Sequence, residues 1–222
     1  MQLMEITPSF QMDKLALRLG GRNGRRFSHS TKSKVLTSKA KLNGLVKPRL
    51  IYTVKKVKHV EKGMVTLNNE IRFKSPKLSK TLGDSREIIC FVATIGRPIE
   101  REVGRFLREK RLSEAYILDA VGSVTVEDMV ERFQGYMDLR YKKERKASTL
   151  RFSPGYCDWS IKEQKKLFAV LDAEQVGIQL TESCLMNPRK SISGVFGISP
   201  LDLPRYNPCS DCRKSNCEAR RR

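Results

Sequence analysis

At 222 residues and 39% hydrophobic content, the chain is long enough for one substantial core or two small ones, which excludes disorder throughout. No run approaches the roughly twenty apolar residues of a membrane-spanning helix, and the stretch from Met1 to Phe10 lacks the basic-then-apolar order of a secretion signal, so a cytoplasmic protein is expected. The formal net charge of +20, from 44 Lys and Arg against 24 Asp and Glu, keeps a basic nucleic-acid-binding protein as a rival reading, but zinc-finger histidine spacing, an aromatic RNA-recognition signature and a basic zipper are all lacking.

The charge is concentrated early, between Lys14 and Lys62, whereas the signs are interspersed from Asp84 to Glu144. Such a field would steer the protein toward an acidic partner. In chain order, Asp13 to Leu19 reads as a short amphipathic helix and Gly20 to Ser30 as a loop. Thr31 to Leu45 reads as a basic helix with Val35, Leu36, Leu42 and Leu45 inward, ended by Lys47-Pro48. Leu50 to Val60 alternates as a strand, and Met64 to Phe73 reads as a hairpin around Asn68-Asn69. The polar run from Lys74 to Ser85 is expected to connect this first part to the rest.

Glu87 to Ile95 is nearly continuously apolar, as a central strand covered on both faces would be. Arg97-Pro98 opens a helix with Ile99, Val103, Phe106 and Leu107 at helical spacing, since proline is tolerated in a first turn. A long helix begins near Ser113 and carries Ile117, Ala120, Val121, Val124, Val130, Phe133 and Met137. Its small residues Ala120, Gly122 and Ser123 permit close approach to a sheet or ligand. Ser160-Ile161-Lys162-Glu163 fits a capping box ahead of a helix that buries Leu167, Phe168 and Leu171. Gly177 to Leu180 and Ile192 to Ile198 alternate as strands, joined through Asn187-Pro188-Arg189.

The six cysteines, without a secretion signal, point to thiols or metal ligands rather than a disulfide scaffold. Cys90 lies in an apolar run and reads as core; Cys157 and Cys184 flank the motifs described next. The tail Cys209-x-x-Cys212-x-x-x-x-Cys217 has a metal-ligand spacing, zinc and an iron–sulfur cluster being equal alternatives, with Cys157 or Cys184 as a fourth ligand.

Arg151-Phe152-Ser153-Pro154-Gly155-Tyr156 combines a tight Pro-Gly turn with a planar cation before it and an aromatic hydroxyl after it. That set suits a ligand bearing a carboxylate and a sulfonium or purine, although the turn alone is equally a surface loop. About thirty residues on follow Leu180-Thr181-Glu182-Ser183-Cys184-Leu185-Met186 and Ser191-Ile192-Ser193-Gly194. In this order the motifs resemble the S-adenosylmethionine-binding activation domain of cobalamin-dependent methionine synthase, clearly from Arg86 to Ile198 and more weakly upstream. The resemblance implies a free-standing form serving a separate synthase.

By this resemblance Arg151, Ser153, Gly155 and Tyr156 contact S-adenosylmethionine, and Glu127, on the long helix, contacts its amino group or ribose. A second family glutamate, six residues before the arginine, falls on Arg145, and a family tyrosine beyond the Ser-Gly strand has no counterpart. The family presents S-adenosylmethionine to a corrinoid held by a partner, so that an unfavourable reduction is drawn forward by methylation, the cobalamin carrying the difficult chemistry. Methyl transfer needs no base, and with only His29 and His59 no histidine base is expected; Glu182 reads as a structural hydrogen-bonding residue.

The expected architecture is α+β, a mainly antiparallel sheet with packed helices and a smaller amino-terminal α/β lobe. Its parts are a basic lobe over residues 1–85, a ligand-binding core over 86–200 and a cysteine-containing tail over 201–222. The expected function is reductive activation of a cobalamin-dependent methionine synthase or related corrinoid protein. The alternatives are a corrinoid-protein docking module that does not bind S-adenosylmethionine, and the nucleic-acid-binding protein above.

Overall fold

A computed structural model describes residues 1–7, 9, 11–20, 27–203 and 206–212. The elements run β1 (Gln2–Met4), α1 (Met12–Arg18), α2 (His29–Leu45), β2 (Arg49–Glu61), β3 (Met64–Leu67), β4 (Arg72–Lys74), α3 (Pro76–Leu82), β5 (Glu87–Thr94), α4 (Pro98–Arg108) and α5 (Leu112–Lys142). After these come β6 (Lys146–Ser148), α6 (Gln164–Val170), β7 (Gln179–Leu180), β8 (Met186–Asn187) and β9 (Ser191–Pro200). The main sheet has the order β4-β3-β2-β5-β9-β6 with β1 also on β2, and every pairing in it is antiparallel. The α+β class is as the sequence predicts. Among the described residues no helix is long and apolar enough to cross a membrane.

β5 is central because both of its faces are apolar. Ile89, Phe91 and Ala93 face one layer and Ile88, Cys90 and Val92 the other, the two-residue alternation of a strand splitting them between two cores. The first core lies under α1, α2, α4 and α5, where Phe133 of α5 meets Tyr52, Phe91 and Phe196 at ring-centroid distances of 5.1, 5.6 and 5.8 Å. The second lies under α3 and α6, with Trp159 stacked edge-on to Phe73 at 5.3 Å. Burial of Cys90 pushes its thiol up to about 12, as befits a core residue.

The expected connector from Lys74 to Ser85 is instead α3. Ser75 accepts from the Leu78 amide as an N-cap, Pro76 occupies the first turn, and Leu78 and Leu82 are fully buried. The expected boundary at residue 85 falls between β2 and β5, which pair over eight residue positions from Arg49↔Thr94 to Lys56↔Glu87. Two apolar positions also differ from the periodic reading. Leu36 and Leu107 are about half exposed, while Ser38 takes an inward position on α2.

Asp128, 1% exposed, fastens the leading segment to α5. Its carboxylate accepts from the Ser9 amide at 2.7 Å, the Ser9 hydroxyl at 3.1 Å, Gln11 Nε2 at 3.3 Å and Arg132 Nε at 2.7 Å. At the far end, the expected capping box is only half made: Ser160 accepts from the Lys162 amide, but Glu163 accepts from the Lys74 amide and Lys166 Nζ instead of reaching back. Of Gly177 to Leu180, Gln179 and Leu180 pair with β8 as a small hairpin off the main sheet.

Phe133 has no exposed surface and touches three other rings, so Phe133→Ala should destabilise the fold by about 3–5 kcal/mol. A shift of the urea midpoint with an unchanged slope is the expected readout; a midpoint within experimental error of the parent would show that α5 is not seated by this ring.

Candidate functional site

The segment from Lys146 to Tyr156 follows the free edge of β9 and then leaves it. Lys146 to Ser148 pair with Pro200 to Ile198, Thr149 and Gly197 exchange bonds, and Phe152 and Val195 exchange backbone bonds at 2.8 Å in both directions. Strand alternation then sends neighbouring side chains to opposite layers. Phe152 enters the core beside Trp159, and Arg151 turns toward α5.

There Arg151 Nη1 donates to Gln134 Oε1 at 3.0 Å, and Nη2 lies 3.6 Å from Glu127 Oε2. The Arg151 side chain is 13% exposed and Glu127 48%, so a sheltered cation stands beside an accessible carboxylate. Gln134 is itself fixed, donating through Nε2 to Ser148 Oγ at 2.7 Å and to the Thr149 carbonyl at 2.9 Å. Sequence reasoning did not select Gln134; its signal was the spacing of seven from Glu127, which puts both on one face of α5.

Past Arg151 the chain makes the tight bend. Gly155 has φ +90, the left-handed region that glycine tolerates, and a Cβ there would press on Ile161 Cδ1 at 3.2 Å. Its amide donates to the Trp159 carbonyl and the Tyr156 amide to the Ser153 carbonyl, closing the turn. Tyr156 is 54% exposed and presents its ring outward. Ser153 packs on β9: a Cβ on Gly194 would come within 2.9 Å of both Ser153 Oγ and the Phe152 carbonyl.

Behind the turn, Ser193 Oγ donates to Gln164 Oε1 at 2.8 Å, and Gln164 Nε2 donates to the Cys184 carbonyl at 2.9 Å. This relay ties the Thr181 to Met186 loop to β9. Cys184 is buried, whereas Glu182 is exposed and its carbonyl lies 3.9 Å from Cys184 Sγ. Arg145, the position of the departed glutamate, is far from the pair: it is 79% exposed, bonds Asp202 at 3.3 Å, and its carbonyl accepts from the Leu201 amide.

The described part of the tail is held beside the turn through Lys77. Lys77 donates its amide to Asp158 Oδ2 and its ammonium to the Pro208 carbonyl, both at 3.0 Å, so one residue binds the neighbour of Cys157 and the neighbour of Cys209. Burial raises the Cys157 thiol, Lys77 lowers it, and the negative forms of Cys209 and Cys212 raise it further. No group of three metal-ligating side chains is assembled among the described residues, and Cys217 lies outside them.

A family model described as vitamin B12 dependent methionine synthase, activation domain, matches residues 79–220. No curated protein matches the chain. Among solved structures, the crystal structure of the MetH reactivation domain bound to AdoHcy matches with a TM-score of 0.59 and 18% identity, over 80% of this chain. The chain spans 66% of the length of that structure, and the likeness supports the fold.

The Gly194 contacts generate a measurable expectation. Gly194→Ala should push the turn off β9 and unseat Phe152 from Trp159, the protein's sole tryptophan. Its emission should shift to the red; an unshifted spectrum would mean that the turn does not rest on this strand.

Proposed function

Since the chain belongs to the activation-domain family of vitamin B12 dependent methionine synthases, we propose that it binds S-adenosylmethionine and presents the methyl group to the corrinoid of a partner protein, so reactivating it. The observation that carries this reading is the Arg151 and Glu127 pair, 3.6 Å apart and unequally exposed, beside the Pro-Gly bend. The zwitterionic end of an amino acid fits that pair. Its carboxylate would lie on the guanidinium and its ammonium on the Glu127 carboxylate. Gln134 holds the guanidinium ready, which reduces the ordering cost of binding.

Ser153 and Gly155 bring backbone close to the ligand, and the exposed Tyr156 ring offers an electron-rich face to a sulfonium. A bound S-adenosylmethionine supplies the methyl group and a good leaving group, so the chain's own contribution is alignment for in-line transfer. The cobalamin, the electron donor and the docking face belong to the partner in this proposal. The exposed turn is what supports a reaction between two proteins, because Tyr156 and Gly155 lie at the surface.

For the tail, we propose that Cys209 and Cys212, with Cys217, ligate zinc or an iron–sulfur cluster; the docking of the tail beside Cys157 supports this. Elemental analysis of anaerobically purified protein should find one of zinc or iron with sulfide, and a sample free of both would remove the proposal.

Arg151→Ala should weaken S-adenosylmethionine binding about tenfold to a hundredfold, the effect of losing a charge-assisted hydrogen-bonding partner. Calorimetric titration measures it, and the rate of methylcobalamin formation on a cob(II)alamin-loaded synthase lacking its own activation unit, with reductant, should fall in parallel. Equal affinity in the variant would refute the role given to Arg151. Absent binding by the unaltered protein, with the corrinoid partner still captured, would leave a docking module.

A further inference from the structure

The first turns of α5 pack against α2 and α4 around Phe106, and a recess of about 170 Å³ lies between the three helices. That volume is comparable to a cavity that holds benzene. Glu114, on the α5 wall of the recess, precedes Glu127 by thirteen residues, about 20 Å along the helix, so the recess is separate from the Arg151 pair. Its apolar lining is Phe106 and Leu118, 5% and 1% exposed, with the partly buried Leu45.

The wall on α2 holds a hydroxyl without a partner. A serine or threonine inside a helix ordinarily returns its hydroxyl to the carbonyl one turn back, as Thr37 does to Ser33 at 3.1 Å. Ser38 does not. It is 7% exposed, it lines the recess, and its side chain makes no hydrogen bond among the described residues. Buried polar groups are paired as a rule, and the recess is the place from which a partner can reach this one.

Charge on the walls is unequally committed. Arg111, 4.4 Å from the Phe106 ring centroid, donates through Nε to Glu114 Oε1 and through Nη1 to Glu109 Oε2, both at 3.3 Å. Lys34 donates to Ser113 Oγ at 2.5 Å and lies 3.7 Å from Glu114 Oε2. At the rim, Arg105 is engaged by Glu102 and Glu109. Lys41 differs: its Nζ lies 6.0 Å from the Phe106 centroid, with no carboxylate at ion-pair distance among the described residues. Glu102 is held below the usual carboxylate range first by its Arg105 hydrogen bond, and Lys41 acts on it only through space. One cation is therefore in surplus, and it stands one turn beyond Ser38 on the same face of α2.

We propose that this recess binds a small monocarboxylic acid as its carboxylate. The Lys41 ammonium and the Ser38 hydroxyl would donate to the carboxylate oxygens, and the apolar body would lie against Phe106 and Leu118. A polyanion suits the site less well, because Lys34 and Arg111 are already engaged by Glu114. The volume sets the size of the body at about one six-membered ring.

The test is calorimetric titration of the full chain with benzoate, with its neutral counterpart benzamide, and with inorganic phosphate as competitor. Benzoate should bind saturably and about tenfold more tightly than benzamide, and phosphate should not displace it. Lys41→Met, at an exposed position where the fold does not depend on the side chain, should lose most of the preference for benzoate. Ser38→Leu, whose side chain would occupy the recess, should abolish binding of both. Four outcomes overturn the proposal: no saturable binding of benzoate by the unaltered protein, equal affinity for benzamide, displacement by phosphate, or a preference for benzoate that survives in Lys41→Met.

Discussion

Everything functional in this fold depends on how closely α5 lies on the sheet. Phe133 sets that contact, wedged among Tyr52, Phe91 and Phe196 from three adjacent strands. The apolar face of the helix is thus fixed over β2, β5 and β9, and its flank falls beside the outer edge of β9. A side chain from the segment paired along the edge of β9 can then bridge to the helix, which Arg151 does. Tight packing makes this arrangement stiff, because a core filled to crystal-like density does not deform continuously.

Close approaches around that packing bring the polar side chains of the site together. Glycines permit two of them: Gly122 leaves room for the Ile99 and Lys190 side chains, and Gly194 for Ser153 and the Phe152 carbonyl. Ion pairs then tie α5 to its neighbours, Arg151 to Glu127 and Lys190 to Asp119.

Much of this was legible in the residues. β5 announced itself by an unbroken apolar run, α5 by its periodic Ile117 to Met137 series, and the turn by Pro154-Gly155 next to Arg151 and Tyr156. The segment from Lys74 to Ser85 has the polar composition of a connector, yet Ser75-Pro76 is a helix start and Leu78 and Leu82 supply the inward face. Leu36 and Leu107 show the converse, since periodicity fits them to a buried face that tertiary packing does not extend to. Gln134 and Lys190 had no motif to mark them. Gln134 takes its role from the segment that returns along α5, through Ser148, Thr149 and Arg151, and Lys190 from the start of β9 reaching Ser123, 67 residues away, contacts that no local pattern encodes.

Glu127 and Asp128 are neighbours on α5, yet they face different tasks. Asp128 fastens Ser9 and Gln11, while Glu127 stands beside Arg151. On a rigid helix, successive positions cannot move separately. Any tilt or roll of α5 that moves the carboxylate beside Arg151 therefore moves the anchor of Ser9 and Gln11 with it, so the start of the chain and the Arg151 pair share one lever.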